Sequence, residues 1–97
     1  MYEINYTQRA LDDLKWFRKH EQVLIIGGIN KNLKYEPDRE SRNCKRMGVN
    51  AYAEWELRIN NFRVLYNLDQ EVSIIEIQRI GEKQGNQFFF RGHGENL

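Results

Sequence analysis

The stretch WELRINNFRVLYNLD, Trp55 to Asp69, limits what this chain can fold into more than any other part of it. Apolar residues alternate on both sides of Asn60-Asn61, the pattern of two strands joined by a two-residue turn whose central positions favour positive φ. In that register Trp55 faces Tyr66, Leu57 faces Val64 and Ile59 faces Phe62, so one face of the hairpin is apolar. The other face sets Arg58 directly opposite Arg63. Like charges opposite one another across a ladder cost a few tenths of a kcal/mol to about 1 kcal/mol. A neighbouring carboxylate or a bound anion has to offset the pair.

The rest of the chain can be built around this hairpin. YEINY alternates and predicts a short first strand with Tyr2, Ile4 and Tyr6 on one face. Thr7 supplies an N-cap hydroxyl, and Ala10, Leu11, Leu14 and Phe17 recur at helical spacing, which predicts a helix over Gln8–Lys19. A second helix over Glu21–Leu33 buries some of Val23, Ile25, Ile26, Ile29 and Leu33. Its Gly27-Gly28 pair costs about 1 kcal/mol per glycine relative to alanine, to be offset by close approach to the first helix or the sheet, or else retained for local flexibility.

Tyr35–Ala53 has little periodicity and reads as a loop, marked by Pro37, Asp38, Asn43, Gly48 and Asn50. Strands are then predicted over Ala53–Ile59, Phe62–Asp69 and Val72–Ile80, the last two joined by a tight turn at Gln70-Glu71 that brings Ile75 and Ile77 onto the apolar face. The opposite face collects Glu54, Glu56, Arg58, Arg63, Asn67, Glu76 and Gln78, with Leu65 among them. Helices over one face and polar residues on the other is a normal antiparallel arrangement. The expected fold class is α+β in two layers: an N-terminal strand, two helices, then a three-stranded antiparallel meander, all in one domain over residues 1–97. Phe88-Phe89-Phe90 cannot all point into one core; the segment either meets a partner or forms a short strand covered on both faces. RGHGENL at the end is expected to be mobile.

Several function classes are disfavoured by composition. A net charge of +1 argues against a general nucleic-acid binder, yet RESRNCKR holds four positive charges and one negative, a local basic loop able to hold a phosphate chain or an acidic segment. The lone Cys44 makes no internal disulfide, which fits a reducing cytoplasm, and Val23–Ile29 is too short and glycine-rich to span a bilayer. His20, His93 and Cys44 lack metal-ligand spacing, and the late glycines match no phosphate loop, so neither a metal nor a small-molecule cofactor is expected.

The polar face of the sheet carries the remaining chemistry. Arg58 and Arg63 side by side can hold a phosphate; Glu56 on the same face could equally neutralise one of them, and both readings stay open. Cleavage of RNA would need a base for the 2′-hydroxyl, a proton donor for the leaving oxygen and cations around the phosphorane. Arg63, Arg58 and Lys83 can supply the cations. Glu54 or Glu56 can act as base only if relieved of pairing, and His93 is a remote candidate acid.

In succession, RNCKRM, EWELRINNFRVLYNLD and IGEKQGN resemble the RelE/ParE superfamily of toxins from bacterial toxin–antitoxin pairs, over nearly the whole chain. The resemblance implies one of two activities. RelE-like members cut mRNA in the ribosomal A site with an arginine on the second hairpin strand, lysines on the strand before it, and an arginine and a tyrosine after the last strand. ParE-like members poison DNA gyrase, and an antitoxin holds both kinds inactive. Carried over, the hairpin arginine is Arg63 and the later arginine falls on Lys83, whereas the lysines fall on Glu54 and Glu56 and the tyrosine near Phe89. The implied protein is a cytoplasmic type II toxin, a ribosome-dependent mRNA endoribonuclease with ribosome-bound mRNA and a cognate antitoxin as partners. The alternatives are a gyrase-directed toxin and a non-toxic antitoxin-binding module of the same fold. The implied site is Arg63, Lys83 and Glu56 for catalysis, with Arg58, Arg42, Lys45, Arg46 and Phe89 binding RNA.

Overall fold

The computed structural model describes residues 1–97, in the order β1 (Glu3–Tyr6), α1 (Gln8–Trp16), α2 (Lys19–Leu33), β2 (Cys44–Arg46), β3 (Trp55–Ile59), β4 (Phe62–Asp69), β5 (Ile74–Gln84), β6 (Gln87–Phe90) and β7 (His93–Glu95). This is the expected α+β arrangement with a longer sheet. Strands β2 to β7 are hydrogen-bonded in chain order, all antiparallel, and β1 runs parallel to β5.

The hairpin has the register its alternation predicts, Ile59 opposite Phe62 and Arg58 opposite Arg63. Of the two turn residues only Asn60 has positive φ, at 52°. The connection from β4 to β5 is longer than the two residues expected, because the Asp69 carboxylate accepts from Glu71 N at 3.1 Å and Val72 N at 3.4 Å and folds the chain into its own turn. Ile75 and Ile77 still reach the helix-facing side, paired with Leu68 and Tyr66. Beyond Ile77 the apolar period slips by one residue: Ile80, not Arg79, pairs with Val64 on that side. A bulge at Gln78 absorbs the slip and turns Arg79 to the opposite face, across from Leu65.

Helices α1 and α2 cover Trp55, Leu57, Val64, Tyr66, Ile75, Ile77 and Ile80, with Ala10, Leu14, Ile25, Ile29 and Leu33 pointing inward. Thr7 caps α1, accepting from Ala10 N at 3.1 Å. Helix α1 stops at Trp16 because Phe17 turns extended to enter the core, and α2 begins at Lys19, earlier than expected, where the Glu21 carboxylate accepts from Arg18 N at 3.0 Å. A Cβ on Gly28 would collide with the Ile59 side chain, so this glycine allows helix and sheet to approach closely; one on Gly27 would meet nothing within 4 Å.

Three expectations need correction. The region read as loop contains β2, a three-residue edge strand too short to show a period, whose Cys44 is buried in the main core. The C-terminal segment is ordered into β7 rather than mobile. The Phe88–Phe90 segment is the covered strand, not a partner surface. Phe88 and Phe90 join Ala53 and Leu65 in a second small core on the far side of the sheet, packed by Met47 and Tyr52. That side is therefore only partly a polar face.

Strands β1 and β6 share one edge of β5 end to end, and between them Asp13 from α1 fills the gap. Its fully buried carboxylate accepts from Ile80 N at 3.0 Å and from Arg79 at 2.7 and 3.1 Å, and pairs with Arg91 Nε at 3.0 Å. Gly81 is the other requirement of the junction, since a Cβ there would lie 2.5 Å from Phe89 O and 2.7 Å from the Phe90 ring. Asp13→Ala should lower the unfolding free energy by about 3–5 kcal/mol, by stranding the buried Arg79 guanidinium, and Gly81→Ala by about 1–3 kcal/mol. Gly27→Ala should raise it by up to about 1 kcal/mol, all three read by urea denaturation.

Candidate functional site

Alternation along β2, β3, β4 and β5 sends Lys45, Glu56, Arg58, Arg63 and Lys83 to the side of the sheet away from the helices. The registers Lys45 opposite Glu56, Arg58 opposite Arg63, and Arg63 opposite Gly81 bring them into adjoining rows. Lys83 lies two residues beyond Gly81 on the same face, and its N–H donates to Asn61 O at 2.8 Å. Lys45, Glu56, Arg58 and Lys83 line a single groove of about 170 Å³ with Arg46, Met47, Val49, Phe88 and Leu97.

Glu56 answers the charge problem of the hairpin. Its side chain is 7% exposed and accepts from Arg58 Nε at 2.6 Å. A buried carboxylate held this way positions Arg58, and it stands in the pairing from which it would have to be relieved to act as a base. Arg58 remains 41% exposed, its outer guanidinium edge open to the groove.

Arg63 is held differently. Its Nη1 donates to Asn60 O at 2.8 Å and Phe62 O at 2.9 Å, so main-chain carbonyls of the turn fix it without neutralising it. Burial pushes its guanidinium below the usual arginine range, Glu56 opposes that shift, and Arg58 adds to it. Its Nε is buried with no hydrogen-bond partner. With no carboxylate paired to it, the Arg63 guanidinium favours an anion near the open face of the sheet.

Of the remaining expected site residues, Arg42 and Phe89 are not brought into this cluster, and Arg46 lines the groove from the neighbouring position on β2. Arg46 sits opposite Trp55, on the helix side, with its guanidinium 5.3 Å from the Trp55 ring and 3.6 Å from Glu54. Arg42 is exposed on the loop before β2. Phe89 pairs with Glu82 and so faces away from the groove, and its neighbour Phe88 is the aromatic that lines it, with Lys83 Nζ 5.7 Å from its ring. His93 and Glu95 form part of a separate cavity with Arg79, Phe90 and Arg91. The sequence reading missed Arg79 and Asp13 altogether. The one signal for them was the slip from Ile77 to Ile80, which places an arginine where a strict alternation would require an apolar residue.

No protein-family model and no curated protein matches the chain. Solved structures do. A chain of the toxin–antitoxin complex RelBE2 from Mycobacterium tuberculosis superposes with a TM-score of 0.73 at 22% identity, covering 84% of this chain and 98% of that one. The archaeal RelE–RelB complex from Pyrococcus horikoshii OT3 gives 0.66 at 16% identity, over 84% and 93%. A double arginine-to-alanine mutant of the E. coli toxin RelE in the free state gives 0.53 at 14% identity, over 84% and 82%. The chain has the RelE toxin fold. On this RelE fold the cations lie on the face of the sheet that the helices leave open. If Lys45, Arg58, Arg63 and Lys83 all contact phosphate, log affinity for single-stranded RNA should fall against log salt with a slope of about −2.8, and Lys83→Ala should reduce it to about −2.1, measured by fluorescence anisotropy.

Proposed function

We propose that the chain is the toxin of a type II toxin–antitoxin module and that it inhibits translation by cleaving ribosome-bound mRNA. The observation that carries this reading is the Arg58–Arg63 pair, flanked by Lys45 and Lys83, on the open face of a RelE-type sheet. In this reading Arg63, which no carboxylate of its own neutralises, stabilises the developing charge on the scissile phosphate, and Lys83 assists it. Arg58, oriented by Glu56, and Lys45 bind the flanking backbone.

The groove brings cations without a free carboxylate or imidazole beside them, so the proton transfers fall to groups supplied by the ribosome-bound substrate. This accounts for an activity that depends on the ribosome, as opposed to hydrolysis of free RNA. An antitoxin partner has a surface to cover on α2, where Val23, Leu24 and Ile26 are 70%, 49% and 37% exposed. That surface takes the place of the aromatic segment expected from sequence.

Induction of the chain alone should arrest growth and stop bulk protein synthesis, with new mRNA 5′ ends appearing inside coding regions. Arg63→Ala should restore growth, since loss of one such stabilising donor costs about 10²–10³ in rate. Arrested DNA replication with translation intact would point to a gyrase-directed toxin. Undisturbed growth on inducing the parent chain would leave a binding module on the RelE fold.

A further inference from the structure

The chain beyond β6 doubles back toward the groove. Arg91 and Gly92, both at positive φ, turn it into β7, which pairs with β6 through Phe88 opposite Glu95, Phe89 opposite Gly94 and Phe90 opposite His93. This ladder is three residues long, and no strand pairs with the outer edge of β7. A side-chain contact secures its end: the Glu95 carboxylate accepts from the Tyr52 hydroxyl, its two oxygens at 2.9 and 2.8 Å. Tyr52 is itself anchored, its ring edge-on to Phe90 at 5.6 Å and under the Arg79 guanidinium at 5.1 Å. Asn50 braces the loop before it, accepting from Tyr52 N at 2.8 Å and Ala53 N at 3.0 Å. Beyond Glu95 the chain reaches Leu97, which lines the groove of Lys45, Arg58 and Lys83. Leu97 also lines a second cavity of about 370 Å³ with Tyr52, Glu95 and Asn96. Val49, Asn50 and Leu97 are common to both cavities and stand as the partition between them. Leu97 belongs to neither hydrophobic core and is 39% exposed, so little packing opposes its departure.

We propose that Glu95, Asn96 and Leu97 form a strap that partly closes the groove, latched by Glu95 on Tyr52, and that a phosphodiester chain seats fully only when the latch is undone. This rests on the RNA reading above and adds to it a gate carried by the same chain. Releasing Glu95 removes the hydrogen bond that ties β7 to the Met47–Ala53 loop. Leu97 then moves away from Val49, and the two cavities join into one channel along that loop. A hydrogen bond to a charged acceptor at a partly exposed site shifts an opening equilibrium by about tenfold. The apparent affinity of a ligand is its intrinsic affinity reduced by the fraction of molecules in the competent state. A groove that is open in a minority of molecules therefore binds RNA below its intrinsic affinity, by a factor that the latch sets.

Tyr52→Phe tests the latch, because it keeps the ring against Phe90 and Arg79 and removes only the hydroxyl. Amide hydrogen exchange in β7 should quicken about tenfold in this variant while β4 exchanges as before. A fluorescein-labelled adenosine tetranucleotide should bind it severalfold more tightly than the parent chain, read by anisotropy. Leu97→Gly opens the partition and keeps the latch, so it should tighten the same probe while β7 exchanges as in the parent. Unchanged β7 exchange in Tyr52→Phe would overturn the latch whatever the affinity. Faster exchange with unchanged affinity would overturn the gate and leave β7 a structural edge. Weaker binding in Leu97→Gly would overturn the strap, by making Leu97 part of the surface that the ligand uses. Failure of the tetranucleotide to bind parent and variants alike would overturn the gate together with the groove reading. Growth arrest on induction reports on the toxin reading independently of these results.

Discussion

Four contacts from hydrogen-bond donors converge on the carboxylate of Asp13, and the architecture depends on them. β5 is eleven residues long and serves two different neighbours along one edge, β1 as far as Ile77 and β6 from Glu82 onward. Between them the edge would expose unpaired main chain. Helix α1 closes it from the side: Thr7 donates its amide to Ile77 O and its hydroxyl to Gln78 O, and Asp13 takes Ile80 N. A fully buried carboxylate requires full compensation, and it gets this from Arg79 and Arg91. Arg79 is then drawn into a stack against Phe90 at 4.2 Å and Tyr52 at 5.1 Å, and Arg91 fixes the turn leading into β7. One side chain on α1 thus organises the junction of the sheet and, through Arg79, the second core on the opposite side.

That second core decides how much of the open face remains for ligands. In a bare antiparallel sheet under one helix layer the uncovered face is wet along its whole length. Here Leu65, Phe88 and Phe90 take one part of it out of water with the help of the Met47–Ala53 loop, leaving the hairpin end to the charged residues. The charges there are unequal in kind. Arg58 is balanced by a buried glutamate and is a fixed, half-neutralised donor; Arg63 is held by carbonyl oxygens and keeps its whole charge. Glu56 pairs directly with Arg58 and acts on Arg63 only through space, and the imbalance leaves Arg63 as the group that gains more from an incoming anion.

What could be read from sequence, and what could not, divides along physical lines. The hairpin register and the two helices follow from local alternation and spacing, and these hold in the structure. The bulge at Gln78 was invisible to a strict two-residue period, and with it went Arg79 and its partner Asp13, which are 66 residues apart in the chain. β2 was missed because a three-residue edge strand takes its identity from its partner, not from its own pattern. Among the site residues, Lys45, Arg58, Arg63, Lys83 and Glu56 came together because they share a face by parity. Phe89 did not, because it lies one residue out of phase with that face; Arg46 is out of phase as well, yet it lines the groove. Proximity in sequence to a basic loop or an aromatic run says nothing about which side of a sheet a side chain leaves from.

The pairing of Glu56 also bears on what chemistry the face can perform unaided. A general base has to exchange its proton with a substrate hydroxyl, and a carboxylate with almost no exposed surface that already holds a guanidinium at 2.6 Å can do so only by releasing Arg58 into the low-dielectric rim of the groove. The two roles are therefore exclusive, and the geometry favours the structural one. A site built from cations, with its one nearby acid committed, stabilises charge and orients a chain. Under the proposed reading, phosphodiester cleavage on this face needs a second body to deliver the proton acceptor and donor.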